Sequence, residues 1–465
     1  MKLTLTDKQV LVLGLGDTGL SALRWLHGQG ARLSVADSRT APPNLDLLAV
    51  EFPALRIYVG PFKPEIFDAI DLVVISPGVA LAEPEVQAAI KRGIPVVGDV
   101  ELFAQYRPQS AKVIAITGAN GKTTVTTLVG EMCKTAGLKT IVAGNIGLPV
   151  LDALVLPTPD VYVLELSSFQ LETTSSLNAD AATVLNVTED HMDRYTGMME
   201  YAAAKAKVFN GAGVQVLNRQ DSFSIGMAID GRQQVTFGMD ASDKEYGLVN
   251  KAGQLALAHG NTALLKTSDI HVTGLHNATN ALAALALCRA IDIDWQPLIQ
   301  ALRDFKGLPH RVEWVADIAQ IAFFDDSKGT NVGATCAALA GLNKPGQPQK
   351  VVLIAGGDGK GQDFSPLREP VQTNARAVVL IGRDAPVISS VLADTGVTLI
   401  NASTLEDAVE KAFAAAKPQD SVLLSPACAS FDMFRNYVHR AEVFVSAVRA
   451  LASRLAAAPK LGGAQ

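Results

Sequence analysis

The stretch that decides the fold is Thr117–Thr124, which reads TGANGKTT and directly follows the apolar run Val113–Ile116. The apolar run predicts a buried strand, and the apolar spacing from Val125 to Ala136 predicts a helix. A glycine-rich turn between a strand and a helix presents backbone N–H groups and the positive end of the helix dipole to an anion. The sequence therefore predicts a phosphate-binding loop.

The side chains of this loop indicate a nucleotide. Lys122 would place a positive charge near the β- and γ-phosphates, and the hydroxyl of Thr123 would hold Mg²⁺. The standard spacing G-x-x-x-x-G-K-S/T requires glycine where this chain has Ile116, so the loop is a shortened relative of the standard one. A tight turn without a ligand is the alternative, but it does not explain Lys and Thr directly after Gly121. We therefore expect an ATP site.

The composition is that of a globular protein. The chain has 465 residues, of which 48% are hydrophobic and 18% charged, which suggests about three domains. The net charge of −6 argues against broad nucleic-acid binding. The four cysteines form no C-x-x-C pair, which favours reduced thiols. With no signal-peptide core and no membrane-spanning apolar run, we expect a cytoplasmic protein without a nucleic-acid or membrane partner. We separately expect a monomer.

Strands alternate with helical segments along most of the chain, which is typical of parallel α/β sheets. Turn-rich stretches near residues 108 and 307 predict domains over 1–108, 109–307 and 308–465. We expect an N-terminal Rossmann-like domain, a central P-loop ATPase-like domain and a C-terminal Rossmann-like domain. Short alternating runs with many Gly and Asn over 214–270 predict a small β-rich subregion in the central domain. The Ala-rich tail after Ser453 is expected to be frayed.

A second glycine motif lies near the N-terminus. Gly14–Gly19 reads GLGDTG and matches G-x-G-x-x-G, and Asp37 lies about 20 residues further on, where a ribose-binding acid is expected. Taken alone, the motif predicts NAD and hence an oxidoreductase. Because the pattern mainly requires a tight turn and close helix–strand packing, it supports only a nucleotide diphosphate near the helix N-terminus.

Polar residues after predicted strands are further candidates. Glu165 follows a strand beside the phosphate loop and is well placed to bind Mg²⁺, whereas Ser167 and Ser168 are equally consistent with a helix N-cap. His191 lies within the acid-rich stretch Glu189–Asp193, and local evidence leaves its role open between structure and function.

Other candidates lie further along the chain. Asn277 and Asn280 begin a predicted helix, where asparagine is usually a cap rather than a base contact. Arg311 follows the second linker, a common place for a phosphate clamp. Glycine-rich or polar loops after strands, at 325–331, 356–361 and 425–432, are typical ligand-binding positions in α/β sheets.

Together these motifs closely resemble those of the Mur ligase family of peptidoglycan synthesis, in order and spacing, over nearly the whole chain. The shortened phosphate loop of that family accounts for Ile116. The resemblance implies an ATP-dependent ligase that activates a carboxylate as an acyl phosphate. Ser425–Asp432 and Asp326–Lys328 are most similar to the branch that adds D-glutamate to UDP-N-acetylmuramoyl-L-alanine. Another amino-acid ligase of the superfamily, or a folylpolyglutamate synthase, remains the alternative.

The resemblance also implies roles for individual residues. His191 would hold a second Mg²⁺ with Lys205, which is carbamylated in the family, although the sequence alone suggests an exposed helix lysine there and Lys207 is a nearby competitor. The implied catalytic residues are Lys122, Glu165, His191 and Lys205, and the implied metal ligands are Thr123, Glu165, His191 and Lys205. The implied ATP contacts are Gly118, Asn120, Gly121, Lys122, Thr123, Thr124, Asn277, Asn280, Arg311, Asp326 and Lys328. The UDP-muramoyl substrate would contact Leu15, Thr18, Asp37, Ser38, Ser76, Gly78 and Asn145, and D-glutamate would contact Thr330, Lys360, Ser430 and Tyr437, the last through its backbone amide.

Overall fold

The computed structural model describes residues 3–272, 274–342 and 349–457, which form three sheets with helices on their faces. Two compact units are present. Unit 1 comprises the chain up to Val187, Met199–Asp269 and Thr279–Asp304; unit 2 comprises Thr188–Met198, Ile270–Ala278 and the chain from Phe305 onward. The first two sheets belong to unit 1 and the third to unit 2. The predicted α/β class is confirmed.

The first sheet is entirely parallel. Its strands are β1 Gln9–Leu13, β2 Arg32–Asp37, β3 Arg56–Val59, β4 Leu72–Ile75 and β5 Val96–Val97, and the accompanying helices are α1 Asp17–Gly28, α2 Leu45–Glu51, α3 Pro84–Lys91 and α4 Asp99–Tyr106. The strand order is β3-β2-β1-β4-β5. Because helices cover both faces of such a sheet, its central strands are apolar throughout, as residues 10–13 of β1 show.

The second sheet has nine strands and contains the phosphate loop. Its strands are β6 Lys112–Thr117, β7 Thr140–Gly144, β8 Val161–Glu165, β9 Ala181–Val184, β10 Val214–Asn218, β11 Gln234–Phe237, β12 Tyr246–Lys251, β13 Gln254–His259 and β14 Thr262–Lys266. The helices in this part of the chain are α5 Lys122–Thr135, α6 Val150–Ala153, α7 Ser168–Glu172, α8 Met198–Ala206, α9 Ser222–Gly226, α10 Leu275–Arg289 and α11 Trp295–Asp304.

The order of this sheet is β14-β13-β12-β11-β10-β9-β6-β8-β7. Pairing is parallel from β7 to β12 and antiparallel from β12 to β14. The predicted β-rich subregion is therefore confirmed, but its strands extend the main sheet. The phosphate loop follows β6, which lies between β8 and β9, so loops after these three strands share one edge of the sheet.

The third sheet lies in unit 2. Its strands are β15 Glu313–Ile318, β16 Ile321–Asp325, β17 Val351–Gly356, β18 Ala375–Ile381, β19 Thr398–Asn401 and β20 Ser421–Leu424, with helices α12 Val332–Leu342, α13 Arg368–Asn374, α14 Ala385–Leu392, α15 Leu405–Ala415 and α16 Tyr437–Ala457. The order is β15-β16-β20-β17-β18-β19, parallel except for β15. The expected fraying after Ser453 is wrong as far as Ala457, because α16 continues to that residue; residues 458–465 lie outside the described chain.

Within the described ranges, no helix combines the length and the apolar character that a bilayer crossing requires.

Buried carboxylates on α4 join the first sheet region to α7 within unit 1. Glu101 accepts hydrogen bonds from the backbone N–H groups of Ser175 and Ser176, at 2.6 and 2.9 Å. Asp99 accepts one from the Gln170 amide at 3.3 Å, and its second oxygen has no partner among the described residues. Burial raises the pKa of Asp99 to about 6, more than its hydrogen bonds lower it. Burial also opposes ionisation of Glu101, but its hydrogen bonds outweigh burial and lower the pKa.

We predict that Asp99→Asn stabilises the protein more at pH 8 than at pH 5. The folded protein keeps the Asp99 proton between pH 3.8 and about 6, whereas the unfolded chain releases it, so this group reduces stability as pH rises through that window. Removing the ionisable group should increase the free energy of unfolding, relative to the parent, by about 1.4 kcal/mol more at pH 8 than at pH 5. Urea titrations at the two pH values measure this difference.

Glu101→Gln is the matched control on the same helix. Because the folded pKa of Glu101 is lowered, its carboxylate contributes stability at high pH that is lost as pH falls. The control should therefore destabilise the protein more at pH 8 than at acidic pH. The same sign of pH dependence for both variants would contradict our assignment of Asp99.

Candidate functional site

The phosphate loop in unit 1 has a shape that only glycine permits. Gly118 and Gly121 have φ values of +153° and +84°. A Cβ at Gly121 would lie 2.6 Å from Oδ1 of Asn280, and one at Gly118 would lie 3.0 Å from Cβ of Leu185. Because α5 begins at Lys122, the residue after Gly121, the loop leads directly into a helix N-terminus. The predicted strand, turn and helix are confirmed.

Asn186, which sequence reasoning did not select, clamps the loop. Its carbonyl accepts the N–H of Ala119 at 2.9 Å. Its side chain accepts the N–H of Asn120 at 2.8 Å and donates to the carbonyl of Asn120 at 3.1 Å. Only the position of Asn186 in the sheet could have indicated it, because Asn186 follows β9, the strand next to β6.

Two lysines converge on one carbonyl of the loop. Lys122 Nζ donates to the carbonyls of Gly118 and Ala119, at 2.8 and 2.9 Å. Lys205 Nζ donates to the same Gly118 carbonyl at 2.9 Å and lies 4.4 Å from the ring centre of Tyr201. The side chain of Lys205 is buried, so the expectation of an exposed helix lysine is wrong. The buried face of α8 carries it inward, together with Tyr201.

Glu165 lies at the end of β8 and is buried. One carboxylate oxygen accepts from the Asn145 amide at 2.7 Å, and the other has no hydrogen-bond partner among the described residues. A buried carboxylate oxygen without a donor is costly, and carboxylate oxygen is a ligand that Mg²⁺ prefers. The donor set therefore fits Mg²⁺. The capping interpretation holds for Ser167, which forms a capping box with Gln170 at the start of α7.

The N-terminal glycine motif has its predicted acid, but this acid is engaged within the chain. One oxygen of Asp37 accepts the N–H of Leu15 at 2.7 Å, and the Arg39 guanidinium binds both oxygens, at 2.8 and 2.7 Å. Burial alone would raise the pKa of Asp37, but these hydrogen bonds outweigh it and lower the pKa. Arg39 is the residue that the motif did not indicate, and its half-exposed guanidinium adds positive charge beside the glycine loop.

The other expected residues for the UDP-substrate follow neighbouring strands of the first sheet. Ser76 follows β4 and lies against the glycine turn, with its hydroxyl 3.3 Å from the carbonyl of Gly14. Gly78 is unconstrained, since no atom lies within 4 Å of an added Cβ. Thr18 is half-buried on α1 and Ser38 is exposed after β2. Asn145 follows β7 in the second sheet, where it contacts Glu165.

In unit 2, the loop after β16 carries two of the expected nucleotide contacts. Asp326 is buried and accepts the Ser425 hydroxyl at 2.6 Å. Burial raises its pKa to about 7, against the opposing effects of that hydrogen bond and of the Arg311 charge. Lys328 lies with Nζ 3.9 Å from the ring centre of Tyr437, a cation–π contact.

Arg440, which sequence reasoning missed, joins two loops that carry expected site residues. Its guanidinium donates to the hydroxyl and carbonyl of Ser327, at 3.0 and 2.8 Å, and to the carbonyl of Cys428 at 3.1 Å. The hydroxyl of Ser327 in turn donates to the carbonyl of Tyr437. Burial lowers the pKa of Arg440 to about 10, so the side chain remains charged at neutral pH. No local pattern marks an arginine in the first turn of a long helix as important.

The acid-rich stretch packs within unit 2 against the loop after β17. Asp190 lies 3.3 Å from Nζ of Lys360 and accepts the Asn331 amide at 3.4 Å. His191 lies beside the same carboxylate, at 3.6 Å, with a φ of +59°. Thr330 is half-buried after β16 and Ser430 is buried after β20. Because β16, β20 and β17 are adjacent, Thr330, Ser430 and Lys360 all follow neighbouring strands of one sheet.

The asparagines near residue 278 lie inside a helix. Since α10 begins at Leu275, the expected capping role is wrong for Asn277 and Asn280. The Asn280 side chain instead lies against Gly121 in unit 1. In unit 2, burial and the nearby Arg311 charge lower the pKa of His276 to about 4, which keeps its imidazole neutral.

Parallel sheets, a phosphate loop at a helix N-terminus and a buried acid on the next strand define an α/β nucleotide-binding protein. Comparison with known families narrows this class. A Mur ligase MurD-like N-terminal domain matches residues 8–98, a Mur ligase middle domain matches 116–288, and a Mur ligase glutamate ligase domain matches 310–428.

Similar proteins with curated names support the same family. The UDP-N-acetylmuramoylalanine–D-glutamate ligase of Methylobacillus flagellatus is 67% identical over 448 residues, covering 96% of this chain and 98% of that protein. The enzyme of the same name from Nitrosomonas europaea is 55% identical over 459 residues, covering 96% of each chain. The chain belongs to the Mur ligase family.

Solved structures share the fold at low sequence identity. UDP-N-acetylmuramate-alanine ligase MurC from Thermotoga maritima has a TM-score of 0.60 at 20% identity, over 95% of this chain and 99% of its own. Escherichia coli FolC in complex with DHPP and ADP has a TM-score of 0.55 at 17% identity, over 76% of this chain and 94% of its own.

We predict that Asn186→Ala weakens nucleotide binding while the protein stays folded. The change removes two side-chain hydrogen bonds that fix Asn120 in the phosphate loop. Loss of such positioning should raise the dissociation constant for ADP roughly tenfold, about 1.4 kcal/mol. Isothermal titration calorimetry measures it. Asn210→Ala, which removes one exposed hydrogen bond to Ser175, is the control and should bind ADP normally. If both variants bound ADP with equal affinity, Asn186 would not contribute to nucleotide binding.

Proposed function

We propose that the protein is a cytoplasmic ATP-dependent ligase that adds D-glutamate to UDP-N-acetylmuramoyl-L-alanine in peptidoglycan precursor synthesis. The observation that carries this proposal is the 67% identity, over nearly the whole length of both chains, to a ligase named for that reaction. ATP would phosphorylate the terminal carboxylate of the acceptor, and the amine of D-glutamate would displace phosphate from the acyl phosphate.

In unit 1, the proposed work is to hold ATP and to orient the acceptor. The N–H groups of Gly118–Thr124 and the ammonium of Lys122 would bind the phosphates. Thr123 and Glu165 are the proposed Mg²⁺ ligands, and the ion would neutralise charge that develops on the phosphates. The orphaned oxygen of Glu165 supports this assignment. The proposed contacts of the UDP-substrate are Leu15, Thr18, Asp37, Ser38, Ser76, Gly78 and Asn145.

In unit 2, the proposed residues orient the nucleotide and the amino acid. Arg311, Asp326 and Lys328 would contact ATP, as would Asn277 and, from unit 1, Asn280. D-glutamate would bind Thr330, Lys360, Ser430 and the backbone of Tyr437. The ammonium of Lys360 already pairs with a carboxylate, that of Asp190, which supports a carboxylate-binding role for this side chain.

We further propose a second Mg²⁺ held by His191 and a carbamylated Lys205. The Lys205 ammonium first loses a proton, and the neutral amine then forms an N–C bond to CO₂ and releases a second proton, so that a cationic group becomes an anionic oxygen ligand. Two ammonium groups, those of Lys122 and Lys205, share the carbonyl of Gly118 in unit 1. The position of the buried Lys205 amine beside the phosphate loop supports the modification, because a carbamate there would supply an oxygen ligand near the nucleotide phosphates.

The alternatives make different predictions. Another superfamily amide ligase would use the same ATP site with a different amino acid. The NAD-dependent oxidoreductase, which the Gly14–Gly19 motif alone predicted, loses its support because this region matches a MurD-like N-terminal domain.

The proposed reaction predicts phosphate release from ATP only when both UDP-N-acetylmuramoyl-L-alanine and D-glutamate are present. A panel of UDP-muramoyl acceptors and amino acids, including L-lysine and L-glutamate, tests specificity. Lys122→Ala should reduce turnover at least about a thousandfold because the loop loses its charge at the phosphates. Lys134→Ala, at an exposed position on the same helix, should retain activity. Turnover with another amino acid but not with D-glutamate would refute the assigned substrate.

Carbamylation predicts that activity depends on CO₂. Enzyme depleted of bicarbonate at low pH should lose activity and regain it when bicarbonate is restored. Lys205→Arg cannot form the carbamate and should reduce the maximal rate roughly a hundredfold or more without a bicarbonate response. Lys207→Arg, which changes the competing lysine, is the matched control and should respond like the parent. A bicarbonate response that persists in Lys205→Arg would assign the modification elsewhere.

A further inference from the structure

Arg311 is held between two residues with unfavourable backbone conformations. His310 has a φ of +62° and Val312 a φ of +52°. Non-glycine residues seldom adopt positive φ, and for a β-branched residue such as valine it is a genuine outlier. Strain of this kind persists only where surrounding contacts over-determine the conformation.

The contacts that hold this segment converge on His310. Its Nδ1 lies 2.7 Å from Oδ2 of Asp325, a carboxylate with no solvent exposure. Its backbone N–H donates to Oε2 of Glu313 at 2.8 Å, and its carbonyl accepts the N–H of Lys328 at 3.2 Å. Both the side chain and the backbone of His310 are therefore fixed.

Asp325 connects this segment to the loop after β16. Its other oxygen accepts the backbone N–H of Ser327 at 2.9 Å, which shapes the turn that carries Lys328. Donor atoms of His310, Glu313 and Asp325 lie within 4.8 Å of one another, as in some cation sites. However, His310 Nδ1 is hydrogen-bonded to Asp325, and the His310 backbone N–H is hydrogen-bonded to Glu313. These two hydrogen bonds account for the cluster without an ion.

We propose that His310 is a positioning residue for nucleotide binding, which acts by fixing Arg311 and Lys328 through its hydrogen bond to Asp325. In this proposal the imidazole binds Asp325 and not the nucleotide. The hydrogen bond between His310 and Asp325 fixes the segment that contains Arg311. Because the His310 carbonyl accepts the N–H of Lys328, this bond also fixes the Lys328 backbone. This inference rests on the proposed function, because the nucleotide roles of Arg311 and Lys328 are part of it.

Three substitutions separate the hydrogen bond from the backbone strain. His310→Gly removes the bond but accepts positive φ freely. His310→Asn keeps the hydrogen bond to Asp325, because the asparagine amide nitrogen is as many bonds from Cα as Nδ1 of histidine. It also accepts positive φ, because asparagine tolerates the left-handed region. His310→Ala loses the bond and also suffers the strain.

We expect His310→Gly to raise KM for ATP roughly tenfold, because misplaced binding groups lose contact energy. KM for D-glutamate should stay within about twofold of the parent, and His310→Asn should restore KM for ATP to within about threefold. His310→Ala should be at least as impaired as His310→Gly. Thermal melting shows which variants are folded, and if the glycine variant unfolds, the comparison of Asn with Ala decides.

Three results would overturn the proposal. The first is a normal KM for ATP in His310→Gly, and the second is a KM for ATP in His310→Asn that stays as high as in His310→Gly. The third is an equal rise in KM for ATP and in KM for D-glutamate. Calorimetric titration with MgADP keeps this test separate from the proposed reaction, because nucleotide affinity does not depend on which amino acid is added. Parent enzyme that binds MgADP but does not respond to D-glutamate would refute the reaction alone. Unchanged MgADP affinity in Arg311→Ala would refute the role of Arg311 and, with it, this inference.

Discussion

The absence of a side chain at two positions, Gly118 and Gly121, is the constraint on which the phosphate loop depends. A Cβ at either position would press on Leu185 or on Asn280. The turn is therefore packed against the strand-end loop after β9 and against α10, as well as bonded to Asn186. Its shape is set by these neighbours, so the N–H groups are oriented before any ligand arrives, which is what electrostatic preorganisation requires.

Two ammonium groups and a buried carboxylate lie around this loop. The ammonium groups of Lys122 and Lys205 share the carbonyl of Gly118, while a buried oxygen of Glu165 has no donor among the described residues. A buried carboxylate oxygen in a purely structural site usually has a hydrogen-bond donor within the protein, whereas one in a ligand site is free to bind the ligand. The Glu165 oxygen without a donor supports the proposed Mg²⁺ site beside the phosphate loop. Asp99 is also buried with an oxygen that has no donor among the described residues, and burial raises its pKa to about 6.

Sequence reasoning identified what local patterns encode. Alternating strands and helices, the glycine turn at Gly118–Gly121 and the acid at the end of β8 follow from periodicity and from the chemistry of short motifs. Contacts between distant segments were not predictable in this way. The buried Lys205 ammonium donates to the Gly118 carbonyl, 87 positions away, and Arg440 donates to Ser327, 113 positions away. The start of α10 at Leu275 also differs from the prediction, because a polar residue near a helix start favours a cap unless tertiary packing extends the helix.

Arg440 connects α16 to the loops of unit 2 that carry several of the proposed site residues. Its buried guanidinium satisfies carbonyls in the loops after β16 and β20, which carry Lys328 and Ser430. Removing a buried charged donor leaves its acceptors unsatisfied, and that penalty exceeds the value of an ordinary hydrogen bond. The first turn of α16 also contributes the Tyr437 ring that faces Lys328. The first turn of α16, which is distant in sequence from the loop after β16, therefore contacts the loops that carry Lys328 and Ser430.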